Sequence, residues 1–227
     1  MWADRKAGVA RRSRERTRFG SCRSRRPLGL SAILVVISIK GVDMSDNRVR
    51  VLALVGSLRQ DSVNRKLALL AQQGAADLAE IEIFEDLKGI PPFDEDDEAQ
   101  VPEAVKALWA RIEAADAVLV VTPEYNSSVP GQLKNVIDWA SRPFATNPLR
   151  GKNVAVVGAS PGGGGARSSI ADAQRILTRA GATVIEETFS VARAYQQLDD
   201  SGALSNPEIK DGVVAVVAAL ASRSRTR

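Results

Sequence analysis

From Val49 onward, short apolar runs alternate with longer stretches in which apolar residues recur every three or four positions. The runs Val49–Val55, Ile81–Phe84, Ala117–Thr122, Asn153–Ala159 and Thr183–Glu187 predict strands. The middle ones are continuous in Val, Leu and Ala, as strands buried on both faces are. Between and after them lie five helical sets: Val63, Leu67, Leu70, Ala71, Leu78; Val101, Val105, Leu108, Ile112; Leu133, Val136, Ile137, Ala140; Ile170, Ala173, Ile176, Leu177, Ala180; and Ile209, Val213, Val216, Val217, Leu220. Each follows the i, i+3/i+4, i+7 spacing of an amphipathic helix. The last also carries a start signal: Ser205 and Glu208 form a capping box, with Pro207 in the first turn.

Strict alternation of strand and helix argues an α/β chain with a parallel sheet covered on both faces. Right-handed crossovers leave few topologies. The commonest five-stranded solution is the doubly wound, flavodoxin-like order 2-1-3-4-5. No internal repeat or second domain interrupts residues 44–227, which are expected to form one domain.

Charge separates residues 1–43 from that domain. They hold nine Arg and two Lys against Asp4, Glu15 and Asp43, a net of +8, which leaves −4 for the rest of a chain whose total is +4. The globular part therefore offers no basic face for nucleic acid. Residues 1–26 are Arg/Ser-rich without period, which suggests disorder. Residues 28–39 form an apolar run too short to span a bilayer. No small-x-small cleavage site follows, and Met44 begins a segment that reads like a cytosolic start. Residues 1–43 are expected to lie outside the fold, with a targeting segment as the alternative. No membrane association and a cytoplasmic location are expected.

Counting removes several chemistries. With no histidine, Ser-His-Asp, Cys-His and His-metal sites cannot form within one chain. With one cysteine, Cys22, neither can an intrachain disulfide or a Cys-rich zinc site. Asp199-Asp200-Ser201-Gly202 lacks the full calcium-loop pattern and is expected to be a turn. No metal site is expected.

In the order 2-1-3-4-5, the loops after strands 1, 3 and 4 share one edge beside the switch point. Loop 1, Gly56–Asn64, joins a strand to a helix start, where N–H groups and the positive helix end point at one spot. Ser57, Ser62 and Asn64 add neutral donors and Arg59 a permanent forked cation, although Ser62 also suits the helix N-cap. The loop is neither a Walker A motif nor Gly-x-Gly-x-x-Gly, and it asks for one compact phosphate. Loop 2, Thr122–Gly131, holds Pro123 and Pro130, which fix backbone angles and leave other N–H groups to meet a planar ligand edge. Tyr125 can cover a flat ring or serve as a surface residue. Loop 3, Ala159–Ala166, is glycine-rich enough for close backbone approach. Within Gly158–Gly162 it fits the Gly-x-Ser-x-Gly elbow, but without histidine Ser160 has no ordinary general base. The acidic run Phe93–Glu98 reads as solvated surface, and Trp109 and Trp139 as helix-packing residues.

Three motifs carry a resemblance: Gly-Ser-Leu-Arg-x-x-Ser-x-Asn at 56–64, Pro-Glu-Tyr-Asn-x-Ser-x-Pro-Gly-x-Leu-Lys-Asn-x-Ile-Asp-Trp at 123–139, and Gly-Ala-Ser-Pro-Gly at 158–162. From about Val49 to Arg225 the chain resembles the NADPH-dependent FMN reductases, which include quinone, azo-dye and chromate reductases. The resemblance implies non-covalent FMN, with Ser57, Arg59, Ser62 and Asn64 at its phosphate. It places Pro123, Glu124, Tyr125 and Asn126 along the flavin ring, and Ser160 and Gly162 on the far side. It implies hydride transfer from NADPH or NADH to flavin N5 and on to a small-molecule acceptor such as a quinone, azo compound, free flavin or oxyanion metal. The cycle is ping-pong on one open flavin face, with no catalytic side chain. It also implies a homodimer or a dimer of dimers; Arg167 is present, but Ser169-Ile170 supply none of the aromatics that build a tetramer in some relatives.

Two rival readings follow from other features. One is a non-enzymatic electron carrier, against which stand the missing Thr/Ser-x-Thr-Gly-x-Thr loop and an aromatic content of 4%. The other is a flavin-storing or regulatory protein whose basic arm binds nucleic acid.

Overall fold

A computed structural model describes residues 48–226, so the expectations for residues 1–43 lie outside the described residues. The chain runs β1 (Val49–Val55), α1 (Val63–Gly74), β2 (Ala79–Ile83), α2 (Glu103–Ala114), β3 (Ala117–Thr122), α3 (Gly131–Ala140), β4 (Asn153–Ala159), α4 (Arg167–Arg179), β5 (Thr183–Val191) and α5 (Pro207–Arg225). The five strands form one sheet in the order β2-β1-β3-β4-β5, every neighbouring pair parallel. This is the flavodoxin-like order expected from the alternation of elements.

Alternation along β1 explains both layers. Val51, Ala53 and Val55 pack with Leu67, Ala71, Val213 and Val217, under α1 and α5. Leu52 and Leu54 point the other way, to Leu108, Ile112, Leu133, Ile137 and Leu177 of α2, α3 and α4. Successive residues of a strand face opposite sides, so a strand covered on both must be apolar throughout. β3 and β4 are accordingly buried at every position.

Several elements depart from the sequence reading: β2 spans Ala79–Ile83 and not Ile81–Phe84, and Leu78 and Val101 lie outside α1 and α2. β5 does not stop at Glu187 but continues to Val191. Its register with β4 jumps from Val154↔Val184 to Val156↔Thr188, so Glu186-Glu187 lie in a bulge on the edge strand. A bulge lets an acidic pair sit in an edge strand without ending it. At α5 the cap is Asn206, not Ser205: its Oδ1 accepts the Glu208 N–H at 2.9 Å, and Pro207 is the first helical residue. Asn is as good a cap as Ser, and Pro fits the first position because its missing N–H would have no helical partner.

The acidic run after β2 is solvated but anchored. Phe93 stands edge-on to the buried Trp139 ring at 4.9 Å, and Arg142 reaches Glu98 at 2.9 Å. Trp139 donates to the Pro91 carbonyl and Trp109 to the Trp139 carbonyl, so both tryptophans pack helices. Asp199 accepts from the Ser201 and Ala203 N–H groups and the Ser201 hydroxyl, which makes its segment the expected turn. Among the described residues no cluster of acidic or Cys side chains could hold a metal ion, and no helix is long and apolar enough to cross a membrane.

Candidate functional site

The loops after β1, β3 and β4 meet at the carboxyl edge of the sheet, and each is built differently. Loop 1 leaves β1 at Gly56, whose N–H is the last to join the sheet, bonding the Val121 carbonyl at 2.8 Å. Beyond it, no acceptor among the described residues takes the N–H groups of Ser57, Leu58, Arg59, Gln60 or Asp61. Ser57 is half-buried and the next four residues are exposed, so these donors face an open rim. Ser62 then caps α1, its Oγ accepting the Asn64 N–H at 3.2 Å. The helix points its positive end at the same rim.

The cations nearby sort themselves by partner. Arg65 is held by both oxygens of Glu85 at 2.7 Å. Its guanidinium draws the Glu85 carboxyl below the ordinary carboxylate range. Lys66 pairs with Asp61 and lowers that carboxyl likewise. Among the described residues Arg59 has no carboxylate partner; its Nη1 donates to the Tyr195 hydroxyl at 2.8 Å. It is the basic side chain of loop 1 left available for an anion.

Asn64 is not at the rim. It is buried, and its amide makes a closed pair with Ala159 at the end of β4: Nδ2 donates to the Ala159 carbonyl and Oδ1 accepts the Ala159 N–H, both at 2.9 Å. Asn64 and Ser62 therefore shape the loop from within, Asn64 by joining loop 1 to loop 3 and Ser62 by starting α1.

Loop 2 turns back on itself. Tyr125 and Ser128 exchange N–H···O bonds at 3.1 Å, with Asn126 and Ser127 at φ 51° and 61° between them. Two positive φ values give the tight turn usually made by Asn-Gly. Pro123 is buried, while Tyr125 and Asn126 are exposed beyond it. Glu124 faces α4: its Oε2 accepts the N–H of Ser168 at 3.0 Å and of Ser169 at 3.3 Å. The residue at the helix cap, Ala166, has φ 63° and no side chain to do this. Ser128 donates to Asp172 of α4, and this hydroxyl, with Arg175, holds the Asp172 carboxyl below its ordinary value. Thr122 and Ser169 hydroxyls share a buried hydrogen bond at 2.9 Å. Loop 2 is thus tied to α4 at three points.

Loop 3 is open at its tip. A Cβ on Gly163 or Gly164 would meet nothing within 4 Å, whereas one on Gly158, just before the loop, would come within 2.4 Å of the Thr122 carbonyl. Glycine is required at 158 for β4 to lie against β3, and at 163–164 the backbone lies open to approach. Ser160 Oγ accepts the Gly162 N–H at 3.3 Å; among the described residues no basic side chain bonds it, as the rejected nucleophile reading requires. The segment after β5 closes on this loop: the Arg193 and Ala194 N–H groups bond the Gly162 and Ser160 carbonyls, each at 3.0 Å.

Of the residues singled out from sequence, Ser57, Arg59, Tyr125, Asn126, Ser160 and Gly162 lie on the open face of this edge, while Ser62, Asn64, Pro123 and Glu124 support it from inside. Sequence reading missed Tyr195, Ser169 and Asp172. Asp172 and Ser169 lie on the helix after loop 3, where their spacing reads as ordinary surface. Tyr195 was hidden by ending the last strand at Glu187; carried to Val191, that strand delivers residues 192–197 to the same edge.

A family model described as NADPH-dependent FMN reductase matches residues 49–196. A quinone reductase of Pseudomonas putida is 40% identical over 158 residues, 69% of this chain and 84% of that protein. A 2-hydroxy-1,4-benzoquinone reductase of Burkholderia sp. is 43% identical over 115 residues, 50% of this chain and 62% of that one. Among solved structures, FerB, a flavoenzyme NAD(P)H:(acceptor) oxidoreductase from Paracoccus denitrificans, matches with a TM-score of 0.70 and 34% identity, covering 78% of this chain and 98% of FerB.

Proposed function

This chain belongs to the NADPH-dependent FMN reductase family, and we propose that it works as an FMN-dependent NAD(P)H oxidoreductase whose acceptor is a quinone. The observation that carries this is the row of uncommitted N–H groups from Ser57 to Asp61 beside Arg59, a donor set suited to one phosphate. The residues fit FMN. The loop 1 N–H groups, the Ser57 hydroxyl and the Arg59 guanidinium would hold its phosphate. Tyr125 and Asn126 on one side, and Ser160 with the open backbone of Gly162–Gly164 on the other, would line its ring. Ser62, Asn64, Pro123 and Glu124 act one layer behind, by fixing these loops.

Bound FMN supplies two-electron chemistry at its N5, which is why the chain needs neither a nucleophile nor an acid–base pair. The chain's own work is to bind and orient. Glu124 caps α4 through its Oε2 and so fixes the turn that carries Tyr125 and Asn126. Tyr125, 49% exposed, can cover a planar ring from the solvent side. In the net reaction NAD(P)H gives up a hydride and the quinone gains two electrons and two protons. The second proton, which the hydride does not bring, is taken from solvent. With one open face serving both substrates, they alternate.

The test uses the purified full chain. FMN should bind and give a flavin spectrum, and the protein alone should oxidise NADPH with benzoquinone in steady state. Double-reciprocal plots at several quinone concentrations should be parallel. Intersecting lines would replace the shared face by a ternary complex. FMN binding without NADPH oxidation would leave an electron carrier, and no flavin binding would refute the reading altogether.

The same reading makes the protein cytoplasmic and a homodimer, with residues 1–43 an extension outside the fold. Self-association is supported by Phe144, 64% exposed beside the groove between α3 and α4. Sedimentation at micromolar concentration tests it, a monomer being the refuting result.

A further inference from the structure

Arg59 and Tyr195 stand 136 positions apart in sequence, yet their side chains meet at 2.8 Å across the rim of loop 1. Neither is placed there loosely. Tyr195 sits on a single 3-10 turn, Ala194–Gln197, that begins with Arg193 at φ 49°. The Arg193 and Ala194 N–H groups are bonded to loop 3 carbonyls, and the Gln196 N–H to the Arg193 carbonyl at 2.8 Å. The tyrosine backbone is therefore held by loop 3, while its hydroxyl reaches loop 1. A buried tyrosine would explain itself by packing; this one is 49% exposed.

The hydroxyl's hydrogen bonding is half used. A phenol oxygen accepts and also donates. Here it accepts from Arg59, and no acceptor among the described residues takes its own proton. That O–H therefore joins the N–H groups of residues 57–61 and the remaining guanidinium donors as a further unspent donor on one rim. A tethered guanidinium also loses less side-chain freedom when an anion arrives than one that must be gathered from solvent.

We propose that Tyr195 is a phosphate-binding and positioning residue: its hydroxyl fixes the Arg59 guanidinium and donates its own proton to the phosphate of FMN. The inference rests on the FMN reading above and adds a fourth segment, the turn after β5, to the three loops. It makes the Arg59–Tyr195 pair a selector for flavin that carries a phosphate over flavin that does not.

The experiment is a double-mutant cycle read by equilibrium binding. FMN and riboflavin are titrated, by quenching of flavin fluorescence, into flavin-free wild type, Tyr195→Phe, Arg59→Ala and the double variant. Tyr195→Phe keeps the ring and its packing and removes only the hydroxyl. It should weaken FMN about tenfold, the low end for losing a hydrogen bond to a charged group at an open rim, and leave riboflavin unchanged. In the Arg59→Ala background the same change should weaken FMN by a smaller factor than in wild type, because only the hydroxyl's own hydrogen bond to the phosphate is then lost and no tether with it. Unchanged or tighter FMN binding by Tyr195→Phe would overturn the proposal, the latter by showing that the tyrosine competes for Arg59. Equal losses for both flavins, or full additivity with Arg59→Ala, would overturn it too. Wild type binding neither flavin would instead overturn the FMN reading, and the role of Tyr195 with it.

Discussion

Asn64 joins two loops through a single side chain, so its removal is a direct test of how the site is held. Asn64→Ala strips the Ala159 N–H and carbonyl of their partners at a residue that is 1% exposed. An orphaned buried polar group costs about 1–3 kcal/mol. Two are orphaned here, but Asn64 lies one layer below an open rim, and a water can enter the space and rescue part of the loss. The expected destabilisation is therefore about 2–4 kcal/mol, which for a domain of this size lowers Tm by roughly 10 °C. Asn64→Asp separates hydrogen bonding from volume. An aspartate still accepts the Ala159 N–H, but its second oxygen faces the Ala159 carbonyl with no proton between them. Burial and that carbonyl both favour the protonated acid, so its folded-state pKa rises above the unfolded value of about 3.9. A raised carboxyl pKa means that the folded state holds the proton longer, so the penalty is absent at low pH and grows as pH rises from there through the folded value. Urea unfolding at pH 7 should find Asn64→Asp at least as unstable as Asn64→Ala. Below about pH 4, relative to wild type at the same pH, Asn64→Asp should recover and Asn64→Ala should not. A loss under about 0.5 kcal/mol for Asn64→Ala, or a pH-independent deficit for Asn64→Asp, would refute the bracing role.

Arg59→Ala should weaken FMN roughly 30-fold, the low end for truncating a charge pair at an open rim; Arg59→Lys should recover only part, since a point charge lacks the guanidinium fork, and titration checks both. Glu124→Ala removes the side-chain cap of α4 and should shift the urea midpoint by an amount equivalent to about 1–2 kcal/mol; Glu124→Gln, which keeps an acceptor, should lose less. Asp199, held down to about 2 chiefly by the Ser201 hydroxyl and the Ala203 N–H, contributes stability that is present above its ordinary value of 3.8 and lost as pH falls toward 2. Asp199→Asn should flatten that stretch of the stability–pH curve, and an unchanged slope would refute the assignment. A chain starting at Met44 should fold and bind FMN as the full chain does, checked by circular dichroism and flavin titration.

The continuous apolar runs of β1, β3 and β4 and the 3.6-residue spacing of the helices were legible as sequence because burial on both faces leaves few alternatives. Right-handed crossovers leave few topologies, and the commonest of them, 2-1-3-4-5, brings loops 1, 2 and 3 to one edge. That Arg59 is the one cation of loop 1 was legible because loop composition is local. The edge strand was not: Glu186-Glu187 look like an ending, and only pairing with β4 shows that a bulge carries the strand past them.

Division of labour among the site residues was a matter for tertiary structure. Ser57, Ser62 and Asn64 are equally polar in one motif, yet Ser57 lies at the rim, Ser62 caps α1, and Asn64 bonds Ala159, 95 positions away. Glu124 is given a ring-side place by the resemblance, and only the fold shows that its Oε2 also serves α4, which begins at an alanine that cannot cap itself. Arg65 and Lys66 follow Arg59 closely in sequence, and only the fold shows Glu85 and Asp61 beside them. In each case the side chain's chemistry is written in the sequence, but its partner is chosen by packing between segments far apart in the chain. Local patterns follow from neighbours three or four residues away, so sequence alone determines them. A hydrogen-bond partner a hundred residues off is determined only once the sheet has fixed which loops touch, and Tyr195 beside Arg59 is the plainest example.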